Sequence, residues 1–414
     1  MSVDVNSTDG RERIFVLDYV SLIWGIPIAS KLRQTSLSFV PGVVCLTTIA
    51  CHFMLLLSQR CLLPWNPLYP LHWRQKFPMT MLYTMVTVFN ERQLHIISPR
   101  RQSTGHQIRE YCRKKSLEHE ERLVELQRTE LSPPCLHFII PPDADPNGRI
   151  LYYAHGGGYQ YPMRASGCMP LVLHLAAACK AAKLVLLEYS LTPSTQYPGQ
   201  LMQAVEGLRY LLDQGNHPSD LIVGGDSAGG HLIAGLLLHI KQPAPTLFPL
   251  HLDGKQLHAA VLLSPWLAMT GGSDVGPGSQ TTDFLQTKHI DKFTKLLNPT
   301  LDHVWANPIH APNASVVWKG VVGHTDQSVV HRLLVTAGDA EILHNSCKTF
   351  MEDFIGNFLA IHCNDARSTD DIQKATAAFA VGSHEVHVQP ALDASQQYYS
   401  GDTMKALVAF LRLL

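Results

Sequence analysis

Short apolar runs recur along the C-terminal two thirds of the chain, each followed by small or polar residues and then by a longer helical pattern. Ile150-Leu151-Tyr152-Tyr153-Ala154, Leu184 to Glu188, Leu221-Ile222-Val223, His331 to Ala337 and Thr376 to Val381 have the length and apolar density of buried strands. Between them, Met169 to Lys180, Gln200 to Gln214, His231 to Leu238 and Ser346 to Phe354 carry helical spacing. Strands alternating with helices predict β-α-β units and a mostly parallel sheet with helices on both faces. In such a sheet the loops at the carboxyl ends of the strands hold the ligand site. The rhythm pauses between Trp266 and His331, where the glycine-rich loop 271–279 precedes Asp283 to Leu297, read as one or two helices. This insertion, about 267–328, together with residues before about 130, predicts a helical cap on a domain over 131–414.

The loops after the strands carry the chemistry. Gly225-Asp226-Ser227-Ala228-Gly229 joins a strand to a helix, the setting in which G-x-S-x-G has mechanical meaning. Ser227 then sits on a strained turn with its hydroxyl exposed, at a helix N-terminus that favours negative charge. His155-Gly156-Gly157-Gly158 follows the strand Ile150–Ala154. Alone, a glycine triplet is a flexible loop. Opening at the carboxyl end of a neighbouring strand, it offers bare N–H groups to an oxyanion. Gly157, Gly158 and Ala228 are therefore the expected oxyanion-hole donors, each worth about 3–4 kcal/mol.

These motifs resemble the hormone-sensitive-lipase-like branch of the α/β hydrolases. Tyr189-Ser190-Leu191-Thr192-Pro193, followed by Tyr197-Pro198-Gly199-Gln200, is similar to that branch's Y-x-L-x-P segment, and Leu262-Leu263-Ser264-Pro265-Trp266 to its sixth strand. The resemblance extends over roughly 134–414. It implies an α/β-hydrolase fold and a serine esterase or lipase needing no metal or organic cofactor. Ser190, where many members carry arginine, and Glu341, where many carry aspartate, resemble the fungal steryl-acetyl-hydrolase-like subgroup.

A nucleophilic serine needs a base, and the base an orienting acid; α/β hydrolases supply them in the order serine, acid, histidine. Gly338-Asp339-Ala340-Glu341 follows the strand His331–Ala337 and offers two carboxylates. Glu341 is preferred because it lies deeper in the loop, with Asp339 the competitor. After the last strand, Gly382-Ser383-His384-Glu385-Val386-His387 offers two imidazoles. His384 is preferred as nearer the strand end and next to a glycine turn, with His387 the fallback. The expected catalytic set is Ser227, Glu341 and His384.

Composition narrows the partners. Thirty-three basic against 34 acidic residues give no electrostatic footprint for nucleic acid. The basic cluster Arg109, Arg113, Lys114 and Lys115, followed by Glu118, Glu120, Glu121 and Glu125, reads as one solvated helix of mixed charge. Nine scattered cysteines without a C-x-x-C pair argue against a disulfide framework or a zinc site.

The run Phe39 to Leu57 contains no formally charged side chain. It matches the roughly 20 residues of a bilayer-spanning helix and lies too far from Met1 for an ordinary signal peptide. Attachment to a membrane, of the endoplasmic reticulum for instance, is one reading; a buried helix of the cap in a cytoplasmic enzyme is the other. The leading function is hydrolysis of a small-molecule apolar ester, such as an acetylated sterol or a secondary-metabolite ester. An acyltransferase or cyclase using the same acyl-enzyme, and a non-catalytic ligand-binding protein on a hydrolase scaffold, are the alternatives. Oligomeric state is not readable.

Overall fold

The computed structural model describes residues 51–59, 62–63, 66–88, 102–126, 131–269, 282–362, 368–412 and 414. The chain divides into two compact units, Met1–Arg101 and Gln102–Leu414. In the first, a helix over 51–59 and the helix Trp73–Val88 are described, with Phe53 and Phe77 meeting edge to face at 5.8 Å. Residues 39–50 of the apolar run lie outside the described residues. Among the described residues no helix is long and apolar enough to cross a membrane.

The second unit is built on a nine-stranded sheet. In chain order its strands are β1 (His119–Leu123), β2 (Cys135–Ile139), β3 (Ile150–Ala154), β4 (Lys183–Glu188), β5 (Leu221–Asp226), β6 (Leu257–Leu263), β7 (Val330–Gly338), β8 (Leu359–His362) and β9 (Ala377–Gly382). They lie in the order β1-β2-β4-β3-β5-β6-β7-β9-β8; the two pairs that β2 makes are antiparallel and all others parallel. From β3 the chain steps to β4 on one side and then to β5 on the other, so the carboxyl ends of β3 and β5 flank the point where the winding reverses. A crevice opens there by construction.

The inner strands are apolar on both faces because both faces are covered. Leu151, Tyr153, Leu184, Leu186 and Ile222 point into one core layer, packed with residues of the helices Ala165–Ala178 and Asp402–Leu411. Tyr152, Ala154, Val185, Leu187 and Val223 point into the other, under the helices Gly199–Asp213 and Ala228–Lys241. This alternation is the period of two expected of a strand.

Two expectations change. The compact unit begins at Gln102 rather than near 131, because the helix Thr104–Lys115 and strand β1 are integral to it: β1 pairs along its full length with β2, and the Gly105 N–H donates to Glu188 Oε1 at 2.8 Å. For the same reason the charged stretch 109–125 is not one helix. It turns at Ser116, in left-handed conformation, and its acidic half continues as an edge strand.

Candidate active site

The turn that carries Ser227 is built by close packing. Ser227 (φ 53°, ψ −117°) stands between β5 and the helix Ala228–Lys241, a strained conformation for a residue with a side chain. Its N–H donates to Leu263 O at 2.9 Å and its carbonyl accepts from Trp266 N–H at 3.0 Å, so β6 grips the turn from the side. A side chain at Gly229 would collide with the Ala154 backbone, which is why glycine must stand there.

The glycine-rich loop after β3 is tied to the same turn. Asp226 accepts from Gly156 N–H at 3.1 Å and from the Tyr153 hydroxyl at 2.9 Å through Oδ1. Burial pushes the Asp226 carboxyl above its ordinary pKa, and these two donors oppose the shift. Gly157 and Gly158 follow with φ of 114° and 60°. Tyr189, first residue of the Y-x-L-x-P segment, holds the loop from behind: its hydroxyl donates to His155 O at 2.6 Å and its ring stacks on the His155 ring at 4.5 Å. Burial drives the His155 pKa down to about 4, so the ring stays neutral as a packing element.

The imidazole that faces Ser227 is that of His387, with Nε2 2.8 Å from Ser227 Oγ. This corrects the preference for His384. His384 (φ 60°) lies in the turn directly after β9 and uses its backbone N–H to bond Asp339 Oδ1 at 2.6 Å. Three more residues are needed before the chain reaches Ser227, and Glu385 occupies the first of them. Its buried carboxylate caps the helix Asp402–Leu411 through Asp402 N–H at 2.7 Å and Thr403 N–H at 3.2 Å, with the Thr403 hydroxyl donating as well. Distance along the chain from the strand end was thus a poor guide.

Of the two competing carboxylates, Glu341 approaches the imidazole. Its Oε1 lies 3.9 Å from His387 Nδ1, an ion-pair separation longer than a hydrogen bond, and neither atom has another partner among the described residues. Oε2 is fixed by Gly338 N–H at 3.1 Å and the Ser264 hydroxyl at 2.6 Å. Asp339 is exposed and serves the His384 turn.

Two further residues escaped the sequence reading. Ser264, legible there only as part of the L-L-S-P-W segment, donates to Glu341 and accepts from Val388 N–H at 3.2 Å, joining Glu341 to the loop that carries His387. Asp283, read as the start of an insertion helix, is fully buried and accepts from Ile342 N–H at 3.0 Å and Leu285 N–H at 3.2 Å. Burial raises its pKa to about 7, against the pull of His387. No local pattern marks an aspartate that will fold over a distant histidine.

The electrostatics set the state of His387. Burial disfavours its charged form, but Glu341, with Asp283 and Asp226 behind it, outweighs burial and holds the pKa above the ordinary value of 6.5. The insertion supplies the apolar walls: Phe284 lies 6.0 Å from the His387 ring, and Phe293 meets Tyr161 at 5.9 Å and Trp266 at 6.3 Å.

A serine hydroxyl bonded to a buried imidazole, with a carboxylate behind and an adjacent glycine loop at the sheet's switch point, can attack an acyl carbon. Residues 151–354 match the family model described as the α/β hydrolase fold. That segment carries an α/β-hydrolase domain. An acetyl-hydrolase of Streptomyces hygroscopicus is 29% identical over 209 residues, 49% of this chain and 60% of that one. An esterase of Acinetobacter venetianus is 27% identical over 206 residues, with the same two shares. The chain therefore spans only about three fifths of the length of these curated relatives. Among solved structures, an esterase from the bacterial hormone-sensitive lipase family superposes with a TM-score of 0.54 at 21% identity, covering 81% of this chain and 97% of that one. Carboxyl esterase 2 of the mycorrhizal fungus Tuber melanosporum gives 0.53 at 18%, covering 72% and 87%. At those identities what is shared is the α/β-hydrolase fold.

Proposed function

We propose that this α/β hydrolase is a serine carboxylic-ester hydrolase using Ser227, His387 and Glu341, with Gly157, Gly158 and Ala228 as oxyanion donors. The observation that carries the reading is the 2.8 Å contact of His387 Nε2 with Ser227 Oγ in a buried setting. His387 takes the serine proton as Oγ attacks the ester carbonyl, and Glu341 closes on Nδ1 as the imidazolium forms. The oxyanion faces backbone N–H groups already oriented by the turn, so no reorganisation is needed at the moment of reaction. The protonated His387 then passes its proton to the leaving alcohol, and a water activated by the same ring releases the acid in a second pass.

The substrate we propose is an apolar ester with a short acyl group. Support comes from the aromatic walls of Tyr161, Trp266 and Phe293 beside the glycine loop and from the acetyl-hydrolase among the relatives. The test is turnover of p-nitrophenyl esters of increasing acyl length, with and without acceptor alcohols. Free acid should be the product and acetate or butyrate the preferred acyl group. Transfer to alcohol in preference to water would overturn hydrolysis in favour of an acyltransferase, and inactivity on every ester would overturn both.

A further inference from the structure

A second cluster of chemistry-bearing side chains lies on the antiparallel edge of the sheet. The β1–β2 register sets Glu121 opposite His137 and His119 two residues before Glu121, so all three project from one face of the strand pair. His119 Nε2 is 3.1 Å from His137 Nδ1, and Glu121 Oε1 is 3.8 Å from the first nitrogen and 3.7 Å from the second. The point equidistant from three atoms so spaced lies about 2.1 Å from each, the bond length of imidazole nitrogen and carboxylate oxygen to a zinc-class ion.

We propose that His119, Glu121 and His137 form a binding site for one divalent transition-metal ion of the zinc class, with water completing the coordination. The surroundings fit such an ion. Glu188 Oε2 lies 2.9 Å from His137 Nε2, which keeps that ring's proton on Nε2 and leaves the Nδ1 lone pair facing His119 and Glu121. A carboxylate behind a histidine ligand is the usual outer partner of a metal site. Glu188 is itself held by Gly105 N–H, and Arg109 fixes Glu121 at 3.0 and 2.9 Å. With both histidines neutral, Glu121, Glu188 and Arg109 leave one net negative charge to meet a dication. Two nitrogen donors favour zinc-class ions over calcium or magnesium. The alternative set of Cys135, His137 and Glu188 is less suited, because its histidine and carboxylate already share a 2.9 Å hydrogen bond. A bound ion would staple the edge strand β1 to β2 and, through Glu188, to the helix whose Thr104 lies against His155. Cysteine spacing could not reveal this site, since its donors are two histidines and a glutamate.

The test uses the full-length protein stripped with chelator and dialysed, titrated with Zn²⁺ by calorimetry and with Co²⁺ by visible absorption at neutral pH. One equivalent should bind, the melting temperature should rise, and the low-symmetry Co²⁺ bands should appear. His119→Gln and Glu121→Gln, both at partly exposed positions, should each lower affinity by about 100-fold, while Cys135→Ser leaves it unchanged. Folding of each variant is read by circular dichroism; should one fail to fold, the other decides. Absence of stoichiometric binding overturns the site and returns the cluster to a histidine–histidine hydrogen bond. Binding that survives both Gln variants, or that needs Cys135 instead, overturns it equally.

Discussion

Replacing Glu341 by glutamine tests the proposed acid at a single atom. In the native site Oε2 accepts from Gly338 N–H and the Ser264 hydroxyl, while Oε1 faces His387 Nδ1. The Gly338 N–H cannot turn away, so the introduced amide must keep its oxygen on that donor and direct its NH₂ at the ring. Nδ1 then has to accept, the imidazole proton moves to Nε2, and Nε2 points a hydrogen at Ser227 Oγ instead of a lone pair. The base is lost with the geometry nearly intact. Loss of orientation of this kind costs about 10⁴ in kcat, or roughly 5.5 kcal/mol. Asp339→Asn, at an exposed residue whose carboxylate accepts from the His384 backbone N–H, should stay within about twofold, the range of surface changes below roughly 0.5 kcal/mol. The assay is p-nitrophenyl acetate hydrolysis at saturating substrate, with thermal melts to show that both variants are folded. A Glu341→Gln enzyme within tenfold of the unmodified protein, or an Asp339→Asn enzyme that falls further, would refute the assignment.

Ser227→Ala should abolish fluorophosphonate labelling as well as turnover; label persisting in that variant would place the nucleophile elsewhere. His387→Ala should lose about 10⁴-fold or more in kcat while His384→Ala keeps it nearly unchanged, measured on the same ester, and equal losses would sink the distinction. Because the pKa of His387 is raised and the base must be neutral, kcat/KM should fall as pH drops through a value above 6.5. In Glu341→Gln the residual activity should fall at a lower pH, since the main influence holding the proton on the ring is gone; an unmoved profile contradicts this. At Gly158, φ is 60° and an added Cβ would strike the Phe293 ring, so Gly158→Ala should cut kcat by about 10²–10³ without abolishing fluorophosphonate labelling. An unimpaired Gly158→Ala enzyme would remove that residue from the oxyanion site.

What sequence determined here is what short-range physics enforces. Strand β3 was legible to the residue because five apolar positions end just before His155 and the glycine triplet, and β5 was legible at its start, its apolar run Leu221–Val223 stopping three residues short of the strand's end at Asp226. The mostly parallel architecture followed from the strand–helix alternation, and the positions of Ser227 and Glu341 in loops after strand ends were legible in the same way. The antiparallel edge was not legible. His119–Leu123 is polar and mostly exposed, so no apolar period marks it, and it is a strand because its backbone completes β2. The choice between His384 and His387 also belonged to tertiary structure. Both follow the same strand, and what separates them is Glu385, whose carboxylate is committed to capping the last helix far along the chain. Asp283 and Ser264 reach the site through contacts with Ile342, Glu341 and Val388, spanning 59, 77 and 124 residues. Local patterns mark most of the buried strands and their turns; which side chains meet across the sheet is decided only when the loops pack together and most buried polar atoms find their partners.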